Sequence, residues 1–351
     1  MTNTNIIFKL GEKLLVSKII DILNVDSKLI GGFGHDSAFL DININDDEVL
    51  LLNTDRSGLN LTYTLNISDA KCVGDFAISH SISDILISGG SPIAVSIALL
   101  LPKNTNFEFV RDTMLGAQEA AKKYGAFIAS SDTKNNHKFA IVVTAIGKCK
   151  KDQIISRKGA KVGDLIVATG YFGTMISGYL AIKNNLKMSA KTKKLFYQAL
   201  THQNPPYKIA NKISQAKIVN SGIDNSDGLS SSIYTLCENN NLGAIIYKDS
   251  LPIRDESKMV AKKLNIDEFL LCLASGDWQF IYSIPKENVQ HFMKINQSNN
   301  TKATIIGEFI ENSNVLLKSD NSYHILQKIQ NDRFSQNSIF DQISKNINYL
   351  G

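Results

Sequence analysis

Asp224-Asn225-Ser226-Asp227-Gly228-Leu229 stands at the head of a helix-like run over residues 229–238. Asp, Asn and Ser bond to their own backbone in turns and at helix starts, so the stretch reads as a polar loop feeding a helix. Its two carboxylates are three positions apart and would share one face of a helical first turn. The same unit, an Asp flanked by Gly, Ser, Thr or Asn at the end of an element, recurs along the chain. It is found at Gly34-His35-Asp36, Asn53-Thr54-Asp55, Ser83-Asp84 and Ser130-Ser131-Asp132-Thr133. Carboxylates so dispersed converge only in a cleft between domains or subunits, a usual place for ligands.

Around these acids, strand and helix signals alternate. Residues 49–52 form a short apolar run that ends at Asn53, as a buried strand would. Over residues 68–88, apolar side chains recur at three- and four-residue steps and predict a helix with one apolar face. A strand over 93–101 stops at Pro102. A helix follows over 107–123, with Gly125 as its C-terminal glycine, and then two strands, 126–129 and 139–147, around a polar turn. The polar run Lys148 to Asp152 marks a boundary, giving domains 1–148 and 149–351. Beyond it come a strand at 165–169, a glycine turn at 170–173 and a helix from Thr174. Pro205-Pro206 opens another helix, and strands at 279–284 and 304–309 flank a helix near Val289. The pattern is α+β.

Length and composition agree with this reading. A chain of 351 residues with 43% apolar and 20% charged side chains is ordinary globular material for two domains. A net charge of +5, scattered along the chain, predicts no nucleic-acid footprint. No apolar stretch approaches the roughly 20 residues of a bilayer span, and the start lacks a signal-peptide pattern, so the expectation is a cytoplasmic protein without a membrane partner. Cys72, Cys149, Cys237 and Cys272 lack zinc or redox spacing and read as small buried hydrophobes.

Oxygen ligands without His or Cys partners suit Mg²⁺, which binds a few carboxylates together with substrate phosphates. A triphosphate approaches such a cluster only when cations neutralise the repulsion. No P-loop or G-x-G-x-x-G is complete, so a nucleotide here would use metal and scattered loops. Arg157, in Arg157-Lys158-Gly159-Ala160-Lys161, suits a polyphosphate or belongs to a solvated turn, and Trp278, after Gly276-Asp277, suits a stacking wall for a ring or a place in the core.

The order of these motifs resembles a superfamily that includes AIR synthase, thiamine-monophosphate kinase, selenophosphate synthetase and a hydrogenase-maturation ATPase, and it is nearest to the kinase. The matching segments are Gly34-His35-Asp36-Ser37-Ala38, Asn53-Thr54-Asp55, the helix ending Ser83-Asp84 and leading to Pro92, and Ser130-Ser131-Asp132-Thr133. Arg157-Lys158-Gly159-Ala160-Lys161-Val162-Gly163-Asp164 and Asp224-Asn225-Ser226-Asp227-Gly228-Leu229 keep the family pattern outright. The resemblance implies an AIR-synthase-like two-domain fold: an N-terminal domain that forms a β-barrel across a homodimer, and a C-terminal α/β sandwich. It implies ATP and Mg²⁺ as cofactors. Asp36, Thr54, Asp55, Asp84, Asp132, Asp224 and Asp227 would hold the metals, and Ser131, Arg157 and Ser226 would contact the nucleotide. Asp224 and Asp227 are the candidates for a catalytic base, and Asp277 and Trp278 are the candidate acceptor contacts.

Five positions depart from the family. His35 replaces the first Asp of an Asp-Asp pair, Ser130-Ser131 replaces two glycines, Thr62 replaces a substrate-contacting His, and Gly276 replaces an acidic Glu. The metal–ATP half is kept and the acceptor half is rewritten. The implied activity is phosphoryl transfer from ATP to a different small-molecule acceptor. AIR-synthase-like cyclisation or amide activation, and a non-catalytic nucleotide-binding member, stand as alternatives.

Overall fold

A computed structural model describes residues 29–32, 35–41, 47–202, 204–274, 276–320 and 322–329. The strands are β1 (Leu29–Ile30), β2 (Ala38–Leu40), β3 (Glu48–Ser57), β4 (Ser91–Leu101), β5 (Phe127–Asn135), β6 (Ala140–Lys150), β7 (Leu165–Thr169), β8 (Ser221–Asp224), β9 (Gly243–Tyr247), β10 (Phe280–Ile284), β11 (Ala303–Ile310), β12 (Val315–Ser319) and β13 (Ser322–Ile325). The helices are α1 (Leu61–Thr64), α2 (Ala70–Ile87), α3 (Phe107–Lys123), α4 (Thr174–Lys183), α5 (Ala190–Thr201), α6 (Tyr207–Ala216), α7 (Leu229–Asn240), α8 (Asp255–Leu264), α9 (Phe269–Cys272) and α10 (Val289–Ser298). Strands β1 to β6 form one sheet in the order β1-β2-β3-β6-β4-β5, antiparallel except for β4–β5. Strands β7 to β13 form a second sheet in the order β13-β12-β9-β11-β7-β10-β8, antiparallel except for β12–β9. This is a two-domain α+β architecture with mixed sheets. Among the described residues the first sheet is open, so a single chain does not close the expected barrel.

Helix α2 is where the halves meet. The sequence predicts one apolar face here, but Val73, Ala77, Ile78, Ile82 and Ile85 are joined in the interior by Ser79, Ser81 and Ser83, all nearly inaccessible. A helix buried on every side needs something to cover each face. α2 lies against β3, β6 and α3 on one side and against α6 and β8 on the other. Its buried hydroxyls are spent locally, as in Ser81 Oγ donating to the Val143 carbonyl at 3.1 Å. Contact between α2 and α3 is close because Gly74 of α2 and Gly116 of α3 each face the other helix. A Cβ at Gly74 would fall 1.9 Å from the Thr113 carbonyl oxygen. The apolar core runs continuously from Ile78, Ile82 and Val95 to Ile209, Tyr282 and Phe292, so the two halves share it.

Strand β5 is longer than the sequence suggests. The polar segment Ser130-Ser131-Asp132-Thr133 is not a turn: it continues the strand, with Ile97 opposite Ser131 and Ala98 opposite Asp132. Parallel pairing to β4 holds these polar residues extended, after a register shift at Val95/Ser96. β5 is an edge strand, and nearly all of it is exposed on both faces.

Candidate active site: an acidic cluster between the sheets

Side chains alternate across a strand, so Asn53 and Asp55 share one face of β3 and Thr54 takes the other. Asn53 Nδ2 donates to Asp55 Oδ2 at 2.8 Å and to Asp84 Oδ2 at 2.5 Å, tying β3 to α2. Asp84 sits in the last turn of α2, where the helix dipole opposes a negative charge. From the second sheet, Asp224 ends β8, and its Oδ2 accepts from Ser83 Oγ at 3.1 Å. Asp36 enters from the segment before β2. One oxygen each from Asp36, Asp84 and Asp224 lies within 4.8 Å of the others.

Three carboxylates so placed disfavour one another's charge. Burial pushes the Asp84 carboxyl well above the usual range, and Asp224, Asp55 and Asp36 add to the rise. Burial raises Asp224 too, with Asp36 and Asp227 contributing. One cation answers them. Arg157 donates from Nε to Asp36 Oδ2 at 2.8 Å and from Nη2 to Asp36 Oδ1 at 2.6 Å. Burial alone would lower this guanidinium, but the charge and hydrogen bonds of Asp36 outweigh it and hold it above its ordinary value. Asp36, Asp55, Asp84 and Asp224 together against one guanidinium leave an excess of negative charge. The donors are all oxygen, and a hard divalent cation such as Mg²⁺ fits what they lack.

Not every expected residue joins the cluster. Asp55 borders it through Asn53, and the charge of Asp227 reaches Asp224. Asp227 and Ser226 are half-buried on the loop after β8. Thr54 stands apart, its Oγ1 bonded to Thr144 Oγ1 at 2.9 Å, because alternation sends it to the opposite face. Ser131 and Asp132 lie on exposed β5, outside the cluster. Arg157 is held by a carboxylate here.

The two expected acceptor contacts have structural work. Asp277 accepts from the backbone N–H groups of Gly173, Thr174 and Met175 at 2.6, 3.1 and 3.1 Å and so caps α4. Trp278 is only 3% exposed. Its ring stacks on His80, with centroids 5.1 Å apart and planes at 11°, and touches Phe76 at 4.9 Å. A ring covered in this way offers a ligand no stacking face. His35 lies 3.3 Å from the Gly31 carbonyl, and burial lowers its imidazole below the ordinary value.

Asn53 and Ser83 were not singled out from the sequence, although each neighbours a quoted Asp. Strand period two would have found Asn53, which faces the same way as Asp55. Ser83 carries no such signal, because a buried helix shows no face.

Residues 34–149 match the family model for the N-terminal domain of AIR synthase related protein, and residues 161–318 match the model for its C-terminal domain. The chain belongs to the AIR synthase related family. A thiamine-monophosphate kinase from Pyrococcus horikoshii is 29% identical over 291 residues, covering 82% of this chain and 86% of that protein. A solved structure, AaThiL complexed with AMPPCP and TMP, has a TM-score of 0.77 at 24% identity and covers 92% of this chain and 97% of its own. The HypE–HypF complex structure contains a chain similar at TM-score 0.71 and 17% identity, covering 91% of this chain and all of its own. At such identities the structural likenesses show the fold. Among the described residues, no helix is long and apolar enough to cross a membrane.

Proposed function

We propose that this chain is an ATP- and Mg²⁺-dependent phosphotransferase acting on a small molecule, with an acceptor site that differs from that of its thiamine-monophosphate kinase relatives. The observation that carries this is the convergence of Asp36, Asp84 and Asp224, from three separate elements, within 4.8 Å. Kinase relatives aligned over most of the chain, and the AMPPCP-bound structure, support it.

Asp36, Asp84 and Asp224 would hold Mg²⁺, with Asp55 and Asp227 beside them. Bound there, the metal would neutralise the phosphates and the charge that develops during transfer. The chain's own part is positioning. Arg157 would turn from Asp36 to the polyphosphate once the carboxylates have another counter-ion, and Ser226 would line the nucleotide. Asp227, half-buried beside the cluster, is the better placed of the two candidate bases, since Asp224 is committed to the cluster. The P–O bond between the β- and γ-phosphates breaks, the acceptor oxygen takes the phosphoryl group, and ADP leaves.

Gly276 and Thr62 support a changed acceptor site, because neither offers the side chain that the family has there. Thr62 is buried and accepts from Ser68 Oγ at 2.9 Å. The exposed two-faced β5 edge, which carries Ser131 and Asp132, supports a homodimer that covers it and completes the barrel. The division into domains 1–148 and 149–351 goes with this reading.

ADP release measured over a panel of small-molecule acceptors tests the activity. Mg²⁺-dependent, acceptor-stimulated turnover that is lost in Asp224→Asn is expected. Tight Mg–ATP binding with no turnover on any acceptor would favour a nucleotide-binding role instead.

A further inference from the structure

A cavity of about 230 Å³ opens beside the acidic cluster, lined in part by Tyr171, Gln198, His202, Arg254, Gly276 and Gln279. It is smaller than the roughly 300–1,000 Å³ of a site for a whole drug-sized ligand, so it suits one end of a small molecule. Its position follows from the sheet. Gly170 follows the end of β7, Gln279 precedes β10, and the Gln279 carbonyl accepts the Asn225 N–H just after β8. The cavity and Asp224 therefore share one edge of the sheet, two strand spacings or about 10 Å apart. A molecule of modest length can reach both.

Two cations gather on the Tyr171 side of this cavity. The Arg254 guanidinium lies over the Tyr171 ring at 3.8 Å, and Lys302 approaches the same ring at 4.7 Å. Among the described residues, Arg254 Nε is buried without a hydrogen-bond partner, a costly state. The one carboxylate in the lining, Asp277, is already used by three backbone N–H groups. Burial pushes its carboxyl up to about 6, while those three N–H groups and the charge of Arg254 pull it the other way. Where the family has an acidic side chain, Gly276 has none, and its φ of +114° disfavours any L-residue.

We propose that this cavity binds an oxyanionic group, a carboxylate or a phosphate, with Arg254 as its counter-ion and Tyr171 holding the guanidinium in place. Its assignment to the far end of the phosphate acceptor rests on the phosphotransfer reading, whereas the anion site itself does not. A cationic ring such as the thiazolium of thiamine is disfavoured here by like charge.

The test is NMR of the arginine Nε–H resonances in the full-length chain saturated with Mg²⁺ and AMPPNP, titrated with inorganic phosphate, with succinate and with thiamine. Phosphate or succinate should shift the Arg254 signal saturably, and the tighter of the two identifies the group. Arg254→Gln, followed through backbone signals of the Tyr171 turn, should weaken that binding at least tenfold. Arg254→Lys should recover part of it, and Lys302→Gln should weaken it less. Nucleotide affinity should stay unchanged in all three variants. Failure of both anions to move the signal, undiminished binding in Arg254→Gln, or thiamine binding more tightly than either anion would overturn the proposal. Failure of the phosphotransfer reading shows separately, as loss of Mg–AMPPNP binding with the anion response intact.

Discussion

Arg157 grips Asp36 through two parallel N–H···O bonds of 2.6 and 2.8 Å, and Asp36 keeps only 3% of its side chain exposed. The fork is the geometry that guanidinium and carboxylate share, and it supplies the only cation that contacts the acidic trio among the described residues. In the proposed reading it holds the place that a metal would take.

Removing that cation should therefore cost stability in a way that metal repairs. Arg157→Ala leaves Asp36 buried and unpaired beside Asp84 and Asp224, a change worth about 3–5 kcal/mol. Thermal unfolding in EDTA should show the loss, and millimolar Mg²⁺ should restore much of it. A variant equally stable with and without Mg²⁺ would mean that the guanidinium and the metal do not share these oxygens.

The buried carboxyls set a pH dependence of definite sign. Asp224 is raised from about 3.8 to about 8, Asp277 from about 3.8 to about 6, and Asp84 in the same direction. The folded state holds protons that the unfolded chain has lost, so their contribution is fully present below about 3.8 and declines as pH rises through these values. In EDTA, Tm should fall between pH 5 and 8. With Mg²⁺, which takes the ionised carboxylates, the fall should flatten. Asp224→Asn should flatten it without metal.

Asn53 bridges two acids with one amide, so its loss leaves two carboxyl groups without that donor at once. Asn53→Ala should destabilise the fold by about 1–3 kcal/mol, as expected for a partly buried hydrogen-bonding group left unmatched. Nucleotide affinity should fall as the β3–α2 tie loosens. Denaturant titration and nucleotide titration on the same preparation check both.

Trp278, the only tryptophan, holds a φ of +42° and stacks on His80. Trp278→Ala should cost about 3–5 kcal/mol as a large core truncation. At a temperature where the variant is folded, the acceptor KM should be unchanged. A raised KM with parental stability would return this ring to the acceptor site.

Much of this was legible in the chain because the chemistry repeats. The repeated Asp beside a turn or element end picks out Asp36, Asp84 and Asp224, which converge, and Asp55, which borders them. The strand at 165–169, the helix after Pro205-Pro206 and the helix near Val289 stand where apolar runs and prolines place them. Period and propensity report local structure, and they failed where tertiary contact decides. Ser130 to Thr133 reads as a turn by composition, yet pairing with β4 keeps it extended. α2 reads as one-faced, yet the second sheet covers its polar side. Asp277 and Trp278 read as candidate acceptor contacts because polar and aromatic side chains follow a glycine. The fold adds that Asp277 caps α4 while also lining the neighbouring cavity, and that Trp278 packs on α2.

Calorimetric titration of AMPPNP into the chain near pH 7, repeated in buffers of different ionisation enthalpy, tests the central claim most directly. If Asp84 and Asp224 carry protons that metal displaces, binding will require Mg²⁺, will release protons, and will lose both properties in an Asp84→Asn, Asp224→Asn double variant. Binding of equal strength in EDTA, or with no proton release, would contradict the account.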